Sequence, residues 1–289
     1  MKIPVFTGVC TALVTPFLGQ QINFPMVEQL IRRQIECGVS AIVLAGTTGE
    51  SPTLTDDEKI ALFKKGTAYA GSRCKIIAGT GSNSTAHAVD LSIEAEKTGV
   101  DALLVVTPYY NKTTSEGLIG HYLAIAEAVS IPIILYNVPS RTGIDIPVAV
   151  YKQLSTIPNI IGVKEASTDI AKINRIRTEC PPDFYIWAGN DDQITPVMST
   201  SGCGVISVVS NICPRETVAL TSAALSGDFR TAATIQAQLT PLIELLFCEV
   251  NPIPAKEAMK MIGFDCGSCR LPLVNLSRVN RLKLEKYFA

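Results

Sequence analysis

Eight times along this chain a short apolar run gives way to a longer stretch of mixed polarity, and that alternation restricts the fold more than any other feature. The runs are GVCTALVT (8–15), AIVLAG (41–46), KIIAGTG (75–81), DALLVVT (101–107), IPIILYN (131–137), NIIGVKE (159–165), FYIWAG (184–189) and GVISVV (204–209). They are short and rich in β-branched residues, so they read as strands of a parallel sheet covered on both faces. The stretches between them carry helix signals. Residues 24–38 follow Asn23 as N-cap and close on Gly38. Residues 55–71 start at Thr55 with acidic residues in the first turn, the end that favours negative charge, and 84–99 repeat the plan and end on Gly99. Eight βα units are the number that closes a (β/α)8 TIM barrel, usually built from about 250 residues. The tail from Pro214 reads as further helices. The expected α/β architecture is therefore a barrel over 1–213 that carries the site, with a C-terminal helical extension, 214–289, packed on it. A doubly wound open sheet competes with this, but no G-x-G-x-x-G follows the first strand.

Composition narrows the partners. Of 289 residues 47% are hydrophobic and 18% charged, which favours a large core over disorder. The 25 Lys and Arg nearly balance the 26 Asp and Glu, so nothing points to a nucleic-acid or anionic-membrane partner. No apolar stretch is long enough to span a bilayer, and MKIPVFTGVC lacks the pattern of a signal peptide. Nine scattered cysteines then imply reduced thiols and a cytoplasmic setting. Only Cys266-Gly-Ser-Cys269 has a motif-like spacing, and without a strand–helix context it reads as a loop. Two histidines, His87 and His121, argue against a histidine-built zinc site and against a Ser-His mechanism.

The sixth run poses a chemical question, because Ile160-Ile161-Gly162-Val163 ends on Lys164 and Glu165. Burying an ammonium costs several kcal/mol unless it is paired or neutralised. Strand parity places Lys164 inward with Gly162 and Ile160, and Val163 and Ile161 outward, with Gly162 leaving room below the lysine. Barrel sites lie at the C-terminal strand ends. There the fifth run brings Tyr136, with Ile134 below it and Leu135 outward, and the second brings Gly46-Thr47-Thr48-Gly49-Glu50. A desolvated lysine gives up its proton more readily and becomes a nucleophile toward a carbonyl. A phenol can shuttle the protons of imine formation. The threonine hydroxyls and neighbouring amides can hold a small carboxylate. Together these residues fit a Schiff-base lyase or aldolase acting on an α-keto acid. Each alone has a plainer reading: an ion-paired surface lysine, a core tyrosine, a tight turn.

GTTGES (46–51), TPYYNK (107–112), YNVPSRTG (136–143), IIGVKEAS (160–167) and NPIPAK (251–256), in this order, resemble the dihydrodipicolinate synthase branch of the pyruvate-dependent aldolases, in the N-acetylneuraminate lyase superfamily. The resemblance runs from about Thr7 to the RLPL at 270–273. It implies condensation of pyruvate with L-aspartate-4-semialdehyde to 4-hydroxy-tetrahydrodipicolinate, toward diaminopimelate and lysine. By the resemblance, Lys164 is the Schiff-base lysine, Tyr136 the proton donor and acceptor, and Thr47 the relay hydroxyl beside it. Thr48 contacts the pyruvate carboxylate, Ile206 and Gly189 are further substrate-site positions, and Arg141 binds the semialdehyde carboxylate. Tyr110 inserts into a neighbouring subunit's site. This implies at least a dimer, usually a homotetramer built as a dimer of dimers. The imine is the electron sink, so neither metal nor organic cofactor is implied. The sugar-acid lyases, such as N-acetylneuraminate lyase or a keto-deoxy sugar-acid aldolase, share the lysine and tyrosine but lack this arginine pattern. A keto-acid-binding barrel without turnover is the alternative from another class.

The resemblance also marks an allosteric lysine pocket at Ser51, Pro52, Asp56, Lys59, Asn83, His87 and Tyr109. Asn83 and Tyr109 keep the pattern. His87 stands where lysine-sensitive members have a glutamate, and Lys59 where many have a histidine. Losing an anion and gaining a cation disfavours a cationic ligand. Asp56 is expected to replace the missing anion in part. The expectation is a pocket impaired for lysine.

Overall fold

The computed structural model describes all residues, 1–289. The eight strands are present and shorter than the runs that announce them: β1 Gly8–Ala12, β2 Ala41–Leu44, β3 Lys75–Gly79, β4 Ala102–Val106, β5 Ile133–Asn137, β6 Ile160–Glu165, β7 Tyr185–Ala188 and β8 Gly204–Ser207. Each pairs in parallel with its sequence neighbours, and β8 pairs back onto β1, closing the (β/α)8 barrel. The helices begin where the caps predict. Asn23 accepts the amide of Met26 ahead of Phe24–Glu36, Thr55 and Glu58 form a reciprocal capping box ahead of Asp56–Ala70, and Ser84 caps Thr85–Lys97. Pro214–Leu225 packs on β1, and Phe229–Leu246, Ile253–Met261 and Arg278–Phe288 follow. A small antiparallel hairpin, Phe17–Leu18 with Gln21–Ile22, was not expected; its strands are too short to show a period.

Alternation along the strands makes two cores. Cys10, Val43, Ile77, Leu104, Ile134, Trp187 and Ile206 fill the barrel, while Val9, Ile42, Leu103, Leu135, Val163 and Ile186 face the helices. Along β6 the simple parity fails. The pairing runs Ile133 to Ile160 and then Ile134 to Gly162, so Ile161 is an extra residue in the ladder. Ile161 therefore joins the interior and Ile160 the helix layer, the reverse of the expectation, while Lys164 and Val163 keep theirs. The room at Gly162 is also taken. A Cβ there would lie 2.2 Å from the Tyr185 carbonyl oxygen and 2.9 Å from the Trp187 ring. The glycine thus serves the close approach of β7.

No helix is long and apolar enough to cross a membrane. All nine cysteines are unbonded. Burial pushes the Cys266 thiol up to about 12, and burial with the Glu50 charge does the same at Cys269, which makes both poor nucleophiles. His121 is buried on Ser115–Ala128, with Nδ1 2.9 Å from Thr85 Oγ1 and Nε2 without a partner. Burial holds its pKa down to about 4. The unfolded chain, titrating near 6.5, binds this proton first. Stability is therefore full above about pH 6.5 and falls as pH drops toward 4, by up to about 3 kcal/mol. Urea midpoints measured across that window should lose part of their slope in His121→Gln; an unchanged slope would remove His121 as the cause.

Candidate active site

Lys164 and Tyr136 are one residue short of the ends of β6 and β5, and they are register partners. Trp187 is the partner of Lys164 on the other side, so the lysine stem lies between two aromatic residues in one row of the sheet. Lys164 is 5% exposed and Tyr136 6%. The Nζ stands 4.2 Å from the Tyr136 ring centroid, a cation–π distance. The amine is thus held out of bulk water beside a phenol, at the end of the barrel where loops can bring substrate.

Glu165 does not neutralise it. Its carboxylate, fully buried, turns to the helix side, where it accepts from Asn137 Nδ2, Tyr151 Oη and the Ser167 amide, each at 2.8 Å. Lys172 Nζ lies 3.6 Å away and also pairs with Asp145. Burial and the Glu165 charge hold the Tyr151 phenol protonated, well above its ordinary range, so it stays a donor. Asn137 and Glu165 are themselves register partners next to Tyr136 and Lys164. The outward residues fasten the two strand ends whose inward residues are Tyr136 and Lys164.

The turn after β2 supplies the hydroxyls. It is flanked by two non-glycine residues in the left-handed region, Ala45 at φ 49° and Glu50 at φ 57°. Such strain persists only where surroundings over-determine it, and it gathers at functional sites. Gly49 is needed because a Cβ would stand 3.2 Å from Ala45 backbone and the Leu13 carbonyl. Thr47 and Tyr136 line one cavity of about 260 Å3 together with Arg141, from the short helix Pro139–Thr142 after β5. Its lining holds Lys59, His87 and Arg141 and no carboxylate, which suits an anionic ligand. Thr48 is buried and its Oγ1 accepts from Asn251 Nδ2 at 3.0 Å. Ile206 is fully buried on β8 within the barrel core. Gly189 follows β7, its amide donating to the Glu165 carbonyl at 2.7 Å, and a Cβ there would meet Ala166 at 2.6 Å.

Tyr110 is not brought to the cavity of its own chain. It is 91% exposed, with φ 69°, while its neighbour Tyr109 lines the cavity. Ser51, Pro52, Lys59 and His87 share that lining, so the expected allosteric group adjoins the Tyr136 end. Asn83 is tied in through its carbonyl, which accepts from Asn111 Nδ2 at 2.9 Å. Asp56, expected to replace the missing anion in part, meets two groups of its own chain. Its two oxygens lie 3.3 Å from Lys59 Nζ and 2.8 Å from His87 Nε2. Burial acts to raise its pKa, but His87 and Lys59 outweigh it and hold the carboxyl below its usual range. The carboxylate is already engaged by its own chain.

Two buried polar side chains beside these residues escaped sequence reasoning. Asp191, in the turn after β7, is buried and accepts from the amides of Val208 at 2.9 Å and Val209 at 2.8 Å, fixing the backbone just past Ile206. Burial pushes its carboxyl up, against the pull of Ser207, those amides and Lys164. Asn251 reaches Thr48 across some 200 residues of sequence. The acidic pair after a strand end, GNDDQ, and the polar start of NPIPAK were the only local signals.

A model described as the dihydrodipicolinate synthetase family matches residues 5–289. The 4-hydroxy-tetrahydrodipicolinate synthase of Acetivibrio thermocellus is 46% identical over 280 residues, 97% of this chain and 95% of that protein. Among solved structures, the chloride-inhibited dihydrodipicolinate synthase of Acinetobacter baumannii complexed with pyruvate is 40% identical, with a TM-score of 0.95 over 97% of both chains. DHDPS from Cyanidioschyzon merolae with lysine bound is 39% identical, with a TM-score of 0.95 over 98% of this chain and 97% of that one.

Proposed function

The chain belongs to the dihydrodipicolinate synthetase family, and from that premise we propose that Lys164 is the amine through which it works. Its activity is that of a class I aldolase-type lyase: it condenses pyruvate with L-aspartate-4-semialdehyde to 4-hydroxy-tetrahydrodipicolinate, in lysine and diaminopimelate biosynthesis. A sugar-acid lyase and a non-catalytic keto-acid binder are not favoured. The observation that carries the residue assignment is the buried Lys164–Tyr136 pair, in register at adjacent strand ends.

Lys164 Nζ attacks the keto carbon of pyruvate, and Tyr136 returns a proton to the departing hydroxyl, which leaves as water. The imine draws electrons from the methyl group, whose proton passes to the Tyr136–Thr47 relay; the resulting enamine carbon bonds to the aldehyde carbon, and the aldehyde oxygen takes a proton back from that relay to become the 4-hydroxyl. The amino group of the second substrate then displaces Lys164 and closes the ring. Thr48 holds the pyruvate carboxylate, Thr47 passes protons to Tyr136, and Arg141 clamps the semialdehyde carboxylate with its planar fork. Ile206 and Gly189 shape the pyruvate end. The imine is the electron sink, so these steps call on no metal or organic cofactor. The exposed Tyr110 supports at least a dimer in which it completes a neighbour's relay, with a dimer of dimers as the assembly. The nine unbonded thiols support a cytoplasmic setting.

The test is a panel of pyruvate with aspartate semialdehyde, erythrose, glyceraldehyde and N-acetylmannosamine. Aspartate semialdehyde should be used at least about 10²-fold more efficiently than the others, the scale of losing a bidentate carboxylate contact. Arg141→Ala should raise the semialdehyde KM while leaving the borohydride-trapped pyruvate adduct intact. Loss of the adduct in that variant would show that the arginine role is wrong.

Lysine should not inhibit at millimolar concentration. The pocket presents Lys59 and His87, and Asp56 is already paired to both. A dose–response curve with half-inhibition below about 1 mM, equivalent to about −4 kcal/mol, would overturn this.

A further inference from the structure

The motif NPIPAK lies far from the strand ends in sequence, yet it reaches the turn that carries Thr47 and Thr48. Asn251 is 5% exposed and its Nδ2 donates to Thr48 Oγ1 at 3.0 Å. Lys256, on Ile253–Met261, places Nζ 2.5 Å from Glu50 Oε1, with both side chains buried. The amide of Arg270 donates to the other Glu50 oxygen at 2.8 Å. Thr48 and the left-handed Glu50 are therefore both fastened by the C-terminal region, while Thr15 Oγ1 holds the Gly49 carbonyl between them at 2.7 Å.

We propose that Asn251 is a positioning residue for the pyruvate carboxylate, acting by setting the hydrogen-bond polarity of Thr48. The proposal rests on the reading of Thr48 as the carboxylate contact. A hydroxyl has one proton and two lone pairs. By accepting from Asn251, Thr48 spends a lone pair on the protein and keeps its proton for the ligand, and a carboxylate can only accept. The opposite amide orientation would take that proton and turn lone pairs toward the carboxylate. It would also leave the Asn251 NH2 as the group without a partner. In the observed orientation the orphan is the buried carbonyl Oδ1, and orphaned carbonyl oxygens are tolerated better than orphaned N–H groups. The anchoring of Glu50 by Lys256 and Arg270 keeps the turn at the distance this bond requires.

Asn251→Asp keeps the shape and replaces the donor with an acceptor, so it should draw the Thr48 proton away. The pyruvate KM should rise at least about ten-fold, against about three-fold for Asn251→Ala, which merely frees the hydroxyl. The semialdehyde KM should change little in both variants, and the melting temperature little in Asn251→Ala, whereas Asn251→Asp also buries a carboxylate and should melt lower. In a Thr48→Val background, Asn251→Ala should have no further effect on the pyruvate KM. If both Asn251 variants lower the melting temperature and kcat but leave the pyruvate KM unchanged, Asn251 is structural and the proposal fails. If Asn251→Ala is as costly in the Thr48→Val background as in the parent chain, the action does not pass through the hydroxyl and the proposal fails. If Thr48→Val itself leaves the pyruvate KM unchanged, the reading of Thr48 falls, and this proposal with it.

Discussion

Alanine at position 164 should leave no borohydride-trapped pyruvate adduct and lower kcat/KM by about 10⁴-fold or more, the scale of losing a covalent nucleophile. The reason is positional. Lys164 is the buried lysine held against Tyr136 at the mouth of the barrel, whereas the other three buried amines are each paired to a carboxylate, Lys172 to Glu165, Lys256 to Glu50 and Lys59 to Asp56. Lys164→Arg keeps a cation in place but cannot form an imine. It should be as inactive as the alanine variant, and substantial activity in it would reassign Lys164 to electrostatics. Tyr136→Phe should still form the adduct, more slowly, and lose about 10²-fold in turnover, as expected for a general acid–base group. Mass mapping that places the adduct on another lysine would sink the mechanism.

The second large effect concerns stability. Lys256→Met should destabilise the fold by about 3–5 kcal/mol, read as a shift of the urea midpoint, because Glu50 would be left as an uncompensated charge in a fully desolvated place. Its oxygens have the Lys256 ammonium and the Arg270 amide as partners, and its backbone is held in the left-handed region. The double variant Glu50→Gln with Lys256→Met replaces the ion pair with neutral groups of similar shape. The glutamine oxygen can still accept from Arg270, so most of the loss should be recovered. A single-variant loss below about 1 kcal/mol would mean that the pair is solvated. Activity should fall with stability here, since the same turn carries Thr47 and Thr48.

What was legible in the sequence is what depends on neighbours along the chain. Strand and helix periods, the caps at Asn23 and Thr55, and the closure number of eight βα units follow from local sterics and apolar alternation, and these determined the barrel. The place of Lys164 and Tyr136 at strand ends was legible for the same reason, because parity along a strand and position at its end are both local properties. Parity failed at Ile160 and Ile161, since an extra residue in one strand is defined only by its pairing with another. It was the Tyr185 carbonyl, with the Trp187 ring behind it, arriving from β7, that explained Gly162.

The tertiary structure alone decided the partners of the buried charges. Glu165 follows Lys164 in sequence, yet it points through the sheet to Asn137, Tyr151 and Lys172. Asp56 looked free to receive a cation until His87 and Lys59, folded against it, took both its oxygens. Asn251 and Lys256 reach the GTTGE turn only because the C-terminal helices pack back on the barrel. A buried polar group must find its partner wherever the fold supplies one. Hydrophobic period records which way a side chain faces, but it carries no record of what that side chain meets.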